Sequence, residues 1–72
     1  MRLTVNGEIK IIKTDLDSIT LDLVLKKLNY QTQLIVVEFN GLIIEPQKWA
    51  TQKVTDEDKL EIVTIVGGGS YS

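Results

Sequence analysis

The sequence contains no cysteine and no histidine, and its 72 residues include one proline and one tryptophan. Disulfides, zinc sites and iron–sulfur clusters are built from cysteine or histidine, so we expect none of them and no metal site. Catalysis by a Cys–His pair or a Ser–His–Asp triad is excluded for the same reason. Stability must therefore come from the packing of aliphatic side chains in a chain whose length allows one domain.

An excess of positive charge and long apolar runs are also missing. Eight Lys and Arg residues against ten Asp and Glu residues give a net charge of −2, and a chain without a basic stripe is a poor nucleic-acid binder. The longest apolar run, residues 34–37, is too short to cross a membrane, and the first residues do not resemble a signal peptide. We expect a soluble intracellular protein, located in the cytoplasm or, if organelle-encoded, in the plastid stroma.

Two short alternating segments open the chain. Polar and apolar residues alternate over residues 2–6 and again over residues 8–12, which predicts two strands, the first with Leu3 and Val5 facing a core. Asn6-Gly7 stands between them and is a strong hairpin signal, because a type I′ turn needs positive φ at both central positions. The sequence therefore predicts a β-hairpin at the start of the domain.

One helix is predicted after a polar loop over residues 13–18. Between residues 21 and 28 the apolar residues are spaced i, i+3, i+4 and i+7, as on one face of a helix. These residues are Leu21, Val24, Leu25 and Leu28. We expect Ser18 or Thr20 to cap the first backbone N–H groups of this helix, and Asn29 to end it in the left-handed conformation.

Three further strands are predicted in the second half of the chain. Residues 34–39 are rich in β-branched side chains, and Asn40-Gly41 is a second hairpin signal before a short strand over residues 42–44. Pro46 opens a turn that a buried Trp49 anchors, since proline cannot continue a strand. The last strand is expected over residues 60–66.

The resulting order of elements is β-β-α-β-β-β. This order predicts an α+β protein of the β-grasp, or ubiquitin-like, class, in which one main helix packs across a mixed sheet. We expect a β-grasp domain over residues 1–66 and a flexible glycine-rich tail over residues 67–72.

Candidate catalytic groups are scarce, and the unusual feature is the end of the chain. The only cluster of carboxylates, residues 56–58, is interpreted as a solvated turn. Gly67, Gly68 and Gly69 directly follow the last predicted strand, and an arm without Cβ atoms can enter the active site of another protein. A terminal glycine carboxylate can attack the α-phosphate of ATP, so this position favours a carrier over a disordered tail.

Four stretches carry a resemblance to a known family. They are residues 3–8 (LTVNGE), 37–41 (VEFNG), 46–49 (PQKW) and 58–69 (DKLEIVTIVGGG). Together they resemble the ThiS family, the small sulfur carrier proteins of thiamin thiazole synthesis. The last stretch is the most specific, because it holds the final strand and the glycine tail.

The resemblance implies a substrate-like carrier and not an enzyme. In the ThiS family an E1-like (ThiF-like) adenylyltransferase uses ATP to adenylate the C-terminal glycine. A persulfide from a cysteine desulfurase pathway converts the adenylate to a thiocarboxylate, and a ThiG-like thiazole synthase takes the sulfur. Carried over to this chain, Gly69 is the thiocarboxylate acceptor and Gly67 and Gly68 form the arm. ATP is used by the partner, and no cofactor is bound by the chain.

Ser70-Tyr71-Ser72 departs from the family, whose members normally stop at glycine. A Gly69 held in an amide bond has no carboxylate to adenylate. Three explanations stay open: a protease removes these residues, they are foreign to the natural protein, or carrier activity has been lost. Two other functions also stay open, a carrier like the small subunit of molybdopterin synthase and a ubiquitin-like interaction module without covalent chemistry.

A partner surface follows from the alternation of the strands. If Leu60 and Ile62 of the last strand face the helix, Val63 and Ile65 lie on the opposite face of the sheet, and Val36 of the central strand joins them. Val36, Val63 and Ile65 then form an exposed apolar patch that would mark a docking site for the adenylating enzyme. A register shifted by one residue would place the same side chains in the core.

Overall fold

The structure, a computed structural model, describes residues 1–65, which contain one α-helix, seven strands and two 3₁₀ turns. The strands and the helix are β1 (Arg2–Val5), β2 (Glu8–Ile11), β3 (Ile19–Thr20), α1 (Leu21–Lys27), β4 (Ile35–Phe39), β5 (Leu42–Ile44), β6 (Lys53–Val54) and β7 (Lys59–Thr64). The 3₁₀ turns are Thr32–Leu34 and Pro46–Lys48. Each predicted strand and the predicted helix is present, and their ends agree with the prediction to within two residues. Val66 and the predicted tail, residues 67–72, lie outside the described residues.

Five strands form one mixed sheet in the order β2-β1-β7-β4-β5. β1 and β7 are parallel, with Val5 opposite Leu60, and the other pairs are antiparallel. β7 is therefore the central strand, with a hairpin on each side. The predicted mixed sheet with one helix is confirmed.

A second, two-stranded sheet joins β3 to β6, with Ile19 opposite Val54. These two strands were not predicted from the sequence. Each has two residues, which is too short for an alternating pattern to be recognised. The pair ties the start of α1 to the connection between β5 and β7, and the buried Ile19 and Val54 side chains extend the core there.

The core lies between α1 and one face of the five-stranded sheet. Its buried residues are all apolar in the described part of the chain. They are Leu3, Val5, Ile12, Ile19, Leu21, Val24, Leu25, Ile35, Val37, Trp49, Val54, Leu60 and Ile62. Trp49 is 5% exposed and its indole Nε1 donates a hydrogen bond to the Ile44 carbonyl at 2.9 Å, which anchors the Pro46–Lys48 turn as predicted.

Both Asn-Gly turns have the predicted backbone conformation. Asn6 and Gly7 have φ of 52° and 82°, and Asn40 and Gly41 have φ of 48° and 92°. Positive φ at both central positions is what a two-residue type I′ hairpin requires, and it matches the right-handed twist of the flanking strands.

The two ends of α1 differ in how far they follow the prediction. Asn29 has φ of 66° and donates its backbone N–H to the Lys26 carbonyl, while Tyr30 donates to Leu25, which is a Schellman motif. Thr20 is the N-cap residue, but its side chain accepts no backbone N–H. Its hydroxyl instead donates to the carboxylate of Asp22, so the expected side-chain cap by Ser18 or Thr20 is wrong.

Candidate docking face and C-terminal strand

β7, the strand that leads to the glycines, is held on both flanks by asparagine side chains. The Asn6 side chain accepts from the Ile62 N–H through Oδ1 at 2.7 Å and donates from Nδ2 to the Ile62 carbonyl at 3.1 Å. On the other flank, Asn40 Oδ1 accepts from the Lys59 N–H at 2.9 Å. Both asparagines therefore act twice, as turn residues and as extensions of the hydrogen-bond ladder of β7.

The register of the sheet places Val36 and Val63 opposite each other on the face away from α1, which we call the open face. Val36 is 38% exposed and Val63 is 63% exposed, whereas their neighbours Val37 and Ile62 are buried. Ile65 is 45% exposed, and its backbone N–H donates to the Leu34 carbonyl at 2.6 Å, so the pairing of β7 with β4 continues one residue past the strand. These three residues are exposed, and their part in partner binding stays a prediction.

Ile43 lies beside Val36 and was not predicted from the sequence as part of the patch. It pairs with Glu38 of β4 and is 67% exposed. Because Leu42, Ile43 and Ile44 are all apolar, the sequence has no alternation that would assign Ile43 to a face. Val36, Ile43, Val63 and Ile65 together are called the apolar patch.

A groove of about 620 Å³ borders the apolar patch at one end of the sheet. It lies between β4, β5 and the two 3₁₀ turns, and Val36, Ile43 and Ile65 belong to its wall. Trp49 and Pro46 also line the groove. The groove and the apolar patch therefore share Val36, Ile43 and Ile65, and Ile65 directly precedes Val66 in the sequence.

Charged side chains lie on the same face beside the apolar patch. Glu38 and Glu61 are directly opposite each other on β4 and β7. Lys59 lies on the same face, two residues before Glu61 on β7. The ion pairs found in residues 1–65 join Arg2 to Glu57 and Lys10 to Glu8, so Glu38, Glu61 and Lys59 take part in none there.

Other kinds of site find no support within residues 1–65. No group of three acidic side chains is close enough to hold a metal ion in this part of the chain. No helix of the described region is long and apolar enough to span a membrane. Gly67, Gly68 and Gly69, the predicted arm and acceptor, lie outside the described residues, so their role stays a prediction.

Comparison with known proteins identifies the family. The model of the ThiS family matches residues 3–69, which include all of the sheet except Arg2 at the start of β1, and all three consecutive glycines. The chain belongs to the ThiS family. The crystal structure of the thiamine biosynthesis protein ThiS from Geobacter metallireducens has a TM-score of 0.80 and 31% identity, over 96% of this chain and 100% of that one. The predicted ThiS resemblance and β-grasp fold are therefore confirmed.

Two curated relatives extend the ThiS comparison. The uncharacterized protein ycf40 of Trieres chinensis is 38% identical over 53 residues, which are 74% of this chain and 73% of that protein. A thiazole synthase of Paramagnetospirillum magneticum is 37% identical over 70 residues, which are 97% of this chain and 21% of that protein. The chain thus spans about a fifth of the length of that thiazole synthase. Membership of the ThiS family supports a sulfur-carrier role.

Proposed function

We propose that this ThiS-family protein carries sulfur for the thiazole of thiamin as a thiocarboxylate on Gly69. The observation that carries the proposal is the extent of the family match, which runs through the sheet and ends at Gly69. The likeness to a ThiS structure over 96% of the chain favours the thiazole pathway over the molybdopterin alternative. Residues 70–72 must be absent or removed for this chemistry, because the reaction needs a free Gly69 carboxylate.

The proposed chemistry takes place on a main-chain carboxyl group. An oxygen of the Gly69 carboxylate attacks the α-phosphorus of ATP, and pyrophosphate leaves with the formation of an acyl-adenylate. A persulfide sulfur then attacks the acyl carbon and displaces AMP. A thiol cleaves the resulting sulfur–sulfur bond, forms a disulfide with the sulfur donor and leaves the thiocarboxylate. Gly67 and Gly68 form an arm narrow enough to reach the nucleotide, since neither has a Cβ atom.

We infer that catalysis belongs to the partners and not to this chain. All buried side chains within residues 1–65 are apolar, so that region offers no desolvated acid or base of the kind that active sites use. A ThiF-like adenylyltransferase would bind ATP, and a cysteine desulfurase pathway would supply the persulfide. The chain itself would bind no cofactor.

The apolar patch is the proposed docking site for the adenylyltransferase. It exposes four aliphatic side chains on adjacent strands, and it lies directly before the residues that must enter the partner's active site. When the apolar patch is bound to the partner, the position at which the arm begins is fixed. The three glycines then need to span only the distance from that position to the nucleotide in the partner's active site. Exposed apolar patches rimmed by charge are typical of protein interfaces.

A ThiG-like thiazole synthase is the proposed acceptor of the sulfur. The support is the Paramagnetospirillum magneticum thiazole synthase, one polypeptide in which a ThiS-like stretch of 70 residues is combined with a longer remainder. The cytoplasm is the proposed compartment, with the plastid stroma for an organelle-encoded copy; the algal ycf40 likeness is consistent with the second.

The function is tested by intact mass measurement of a form that ends at Gly69. This form is incubated with ATP, the cognate adenylyltransferase, a cysteine desulfurase with cysteine, and a thiol. We expect one terminal oxygen to be replaced by sulfur, and we expect no change in a form that ends at Ser72. A form that ends at Gly68 is the matched control for the length of the arm. Reaction of the intact 72-residue chain, or no reaction of the Gly69 form, would contradict the proposal.

A further inference from the structure

Two carboxylates of like charge face each other beside the apolar patch. Glu38 of β4 and Glu61 of β7 are directly opposite in the antiparallel register and lie on the open face. Directly opposed side chains in a sheet have Cβ atoms about 5 Å apart, and like charges at that distance destabilise the sheet. Within residues 1–65, neither carboxylate accepts a hydrogen bond from a side chain or from the backbone, and neither forms an ion pair.

Lys59, a basic residue on this face, forms no ion pair with either glutamate within the described residues. It lies two residues before Glu61 and is diagonal to Glu38. The salt bridges within residues 1–65 instead involve Arg2 and Lys10, whose carboxylate partners are Glu57 and Glu8. Two carboxylates that form no ion pair within the described residues therefore lie beside the apolar patch.

The spacing along the strands relates this acidic pair to the apolar patch. Glu38 is two residues from Val36, and Glu61 is two residues from Val63, on the same face. At a rise of about 3.3 Å per residue, the acidic pair is about 7 Å from the Val36–Val63 pair and about 13 Å from Ile65. The acidic pair is farther along β7 from the C-terminal glycines than the apolar patch is. A partner that contacts both the pair and the patch must therefore place its charged group on the side of the interface away from its active site.

We propose that Glu38 and Glu61 bind an arginine or lysine side chain of the adenylating partner, about 7 Å from the aliphatic side chains that cover Val36 and Val63. This inference rests on the proposed function, because it names the chemistry of the same docking site. An arginine fits best, since its planar guanidinium has donors for two carboxylates at once. In the free protein the two glutamates repel each other. A cation of the partner placed between them lowers this repulsion, so the change in electrostatic free energy favours the complex.

The neutral variants Glu38→Gln and Glu61→Gln test this proposal, singly and together. Glutamine keeps the size and the polar surface of each side chain and removes only the charge. Asp17→Asn is the matched control for each single variant, and Asp15→Asn combined with Asp17→Asn is the control for the double variant. Both aspartates are exposed in the loop before β3, and the controls remove one and two negative charges in turn. The dissociation constant for the cognate adenylyltransferase is measured by titration calorimetry at several salt concentrations, with the full chain and with the form that ends at Gly69.

We expect the double variant to bind about three to ten times more weakly at low salt, as two charge pairs at the rim of an interface would give. Its binding should also depend less on salt, since exposed charges are screened over about 10 Å at 0.1 M. The control with Asp15→Asn and Asp17→Asn, which removes the same two charges, should bind like the wild type. The free double variant should unfold at the same urea concentration as the wild type or at a higher one, because the repulsion is gone.

Two results would overturn the inference, and they are distinguishable. If the wild type binds and the double variant binds equally well with the same salt dependence, the acidic pair has no role and the proposed function stands. If neither wild-type form binds the adenylyltransferase, both the inference and the proposed function fail.

Discussion

Replacement of Asn6 by alanine tests whether the turn asparagine stabilises the central strand. The change removes two hydrogen bonds to the backbone of Ile62, one of 2.7 Å from its N–H and one of 3.1 Å to its carbonyl. It also leaves alanine at φ of 52°, a region that L-residues with a Cβ atom avoid. Asn6→Gly removes the same hydrogen bonds without that strain.

The expected loss of stability follows from these contacts. Each neutral hydrogen bond contributes about 1 kcal/mol net, and a positive φ costs a non-glycine residue about 1 kcal/mol. We therefore expect Asn6→Ala to lower the free energy of unfolding by about 2 to 3 kcal/mol, and Asn6→Gly by about 1 kcal/mol less. For a domain of this size, 1 kcal/mol shifts the melting temperature by about 4 to 8 °C.

Asn40→Ala is the matched control. Asn40 has the same turn position and a similar φ of 48°, but its side-chain bonds to Lys59 and Asp58 are exposed, whereas those of Asn6 are partly buried. Water replaces exposed partners more easily, so Asn40→Ala should cost about 1 kcal/mol less than Asn6→Ala.

Urea unfolding followed by fluorescence of the single, buried Trp49 measures both variants. Equal losses for the two alanine variants, or a larger loss at Asn40, would refute the role given to the Asn6–Ile62 pair.

Three further predictions concern single side chains. Glu57→Gly should stabilise the protein by up to about 1 kcal/mol, seen as a higher urea midpoint, because Glu57 has φ of 71° and its ion pair is exposed; a lower midpoint would contradict this. Trp49→Phe should lower the free energy of unfolding by about 1 to 2 kcal/mol, because it removes the hydrogen bond to the Ile44 carbonyl. Unfolding followed by circular dichroism measures this change, and an unchanged free energy would contradict the prediction. Val63→Asp should remain folded and lose adenylyltransferase binding, whereas Val37→Asp should unfold; unfolding of Val63→Asp would contradict the exposed position.

The parts of the fold that local rules determine were predictable from the sequence. Asn6-Gly7 and Asn40-Gly41 predict type I′ turns because few residue pairs adopt positive φ at two successive positions. Asn29 was predicted to end the helix because asparagine adopts positive φ more readily than most residues. The strands β3 and β6 were not predictable, since two residues carry no period and their pairing spans more than thirty residues of sequence.

The candidate site was predictable only where the strands alternate. Val63 and Ile65 follow the period of β7, and Val36 follows that of β4, so their exposure could be expected once one neighbour was assigned to the core. Ile43 and the opposition of Glu38 to Glu61 depend on which strands are neighbours and on their register. The order and register of the strands depend on residues that are far apart in the sequence, so a local sequence pattern does not predict them.

The central place of β7 has a consequence for the folding of the protein. β1 and β4 have no direct pairing and are joined only through β7 in the described sheet. The two hairpins and the helix form from contacts that are close in sequence, but the sheet closes only when β7 pairs with β1, which brings Val5 opposite Leu60. Before that step the apolar faces of both hairpins are open to water, so the pairing of β7 is the step that removes the risk of aggregation.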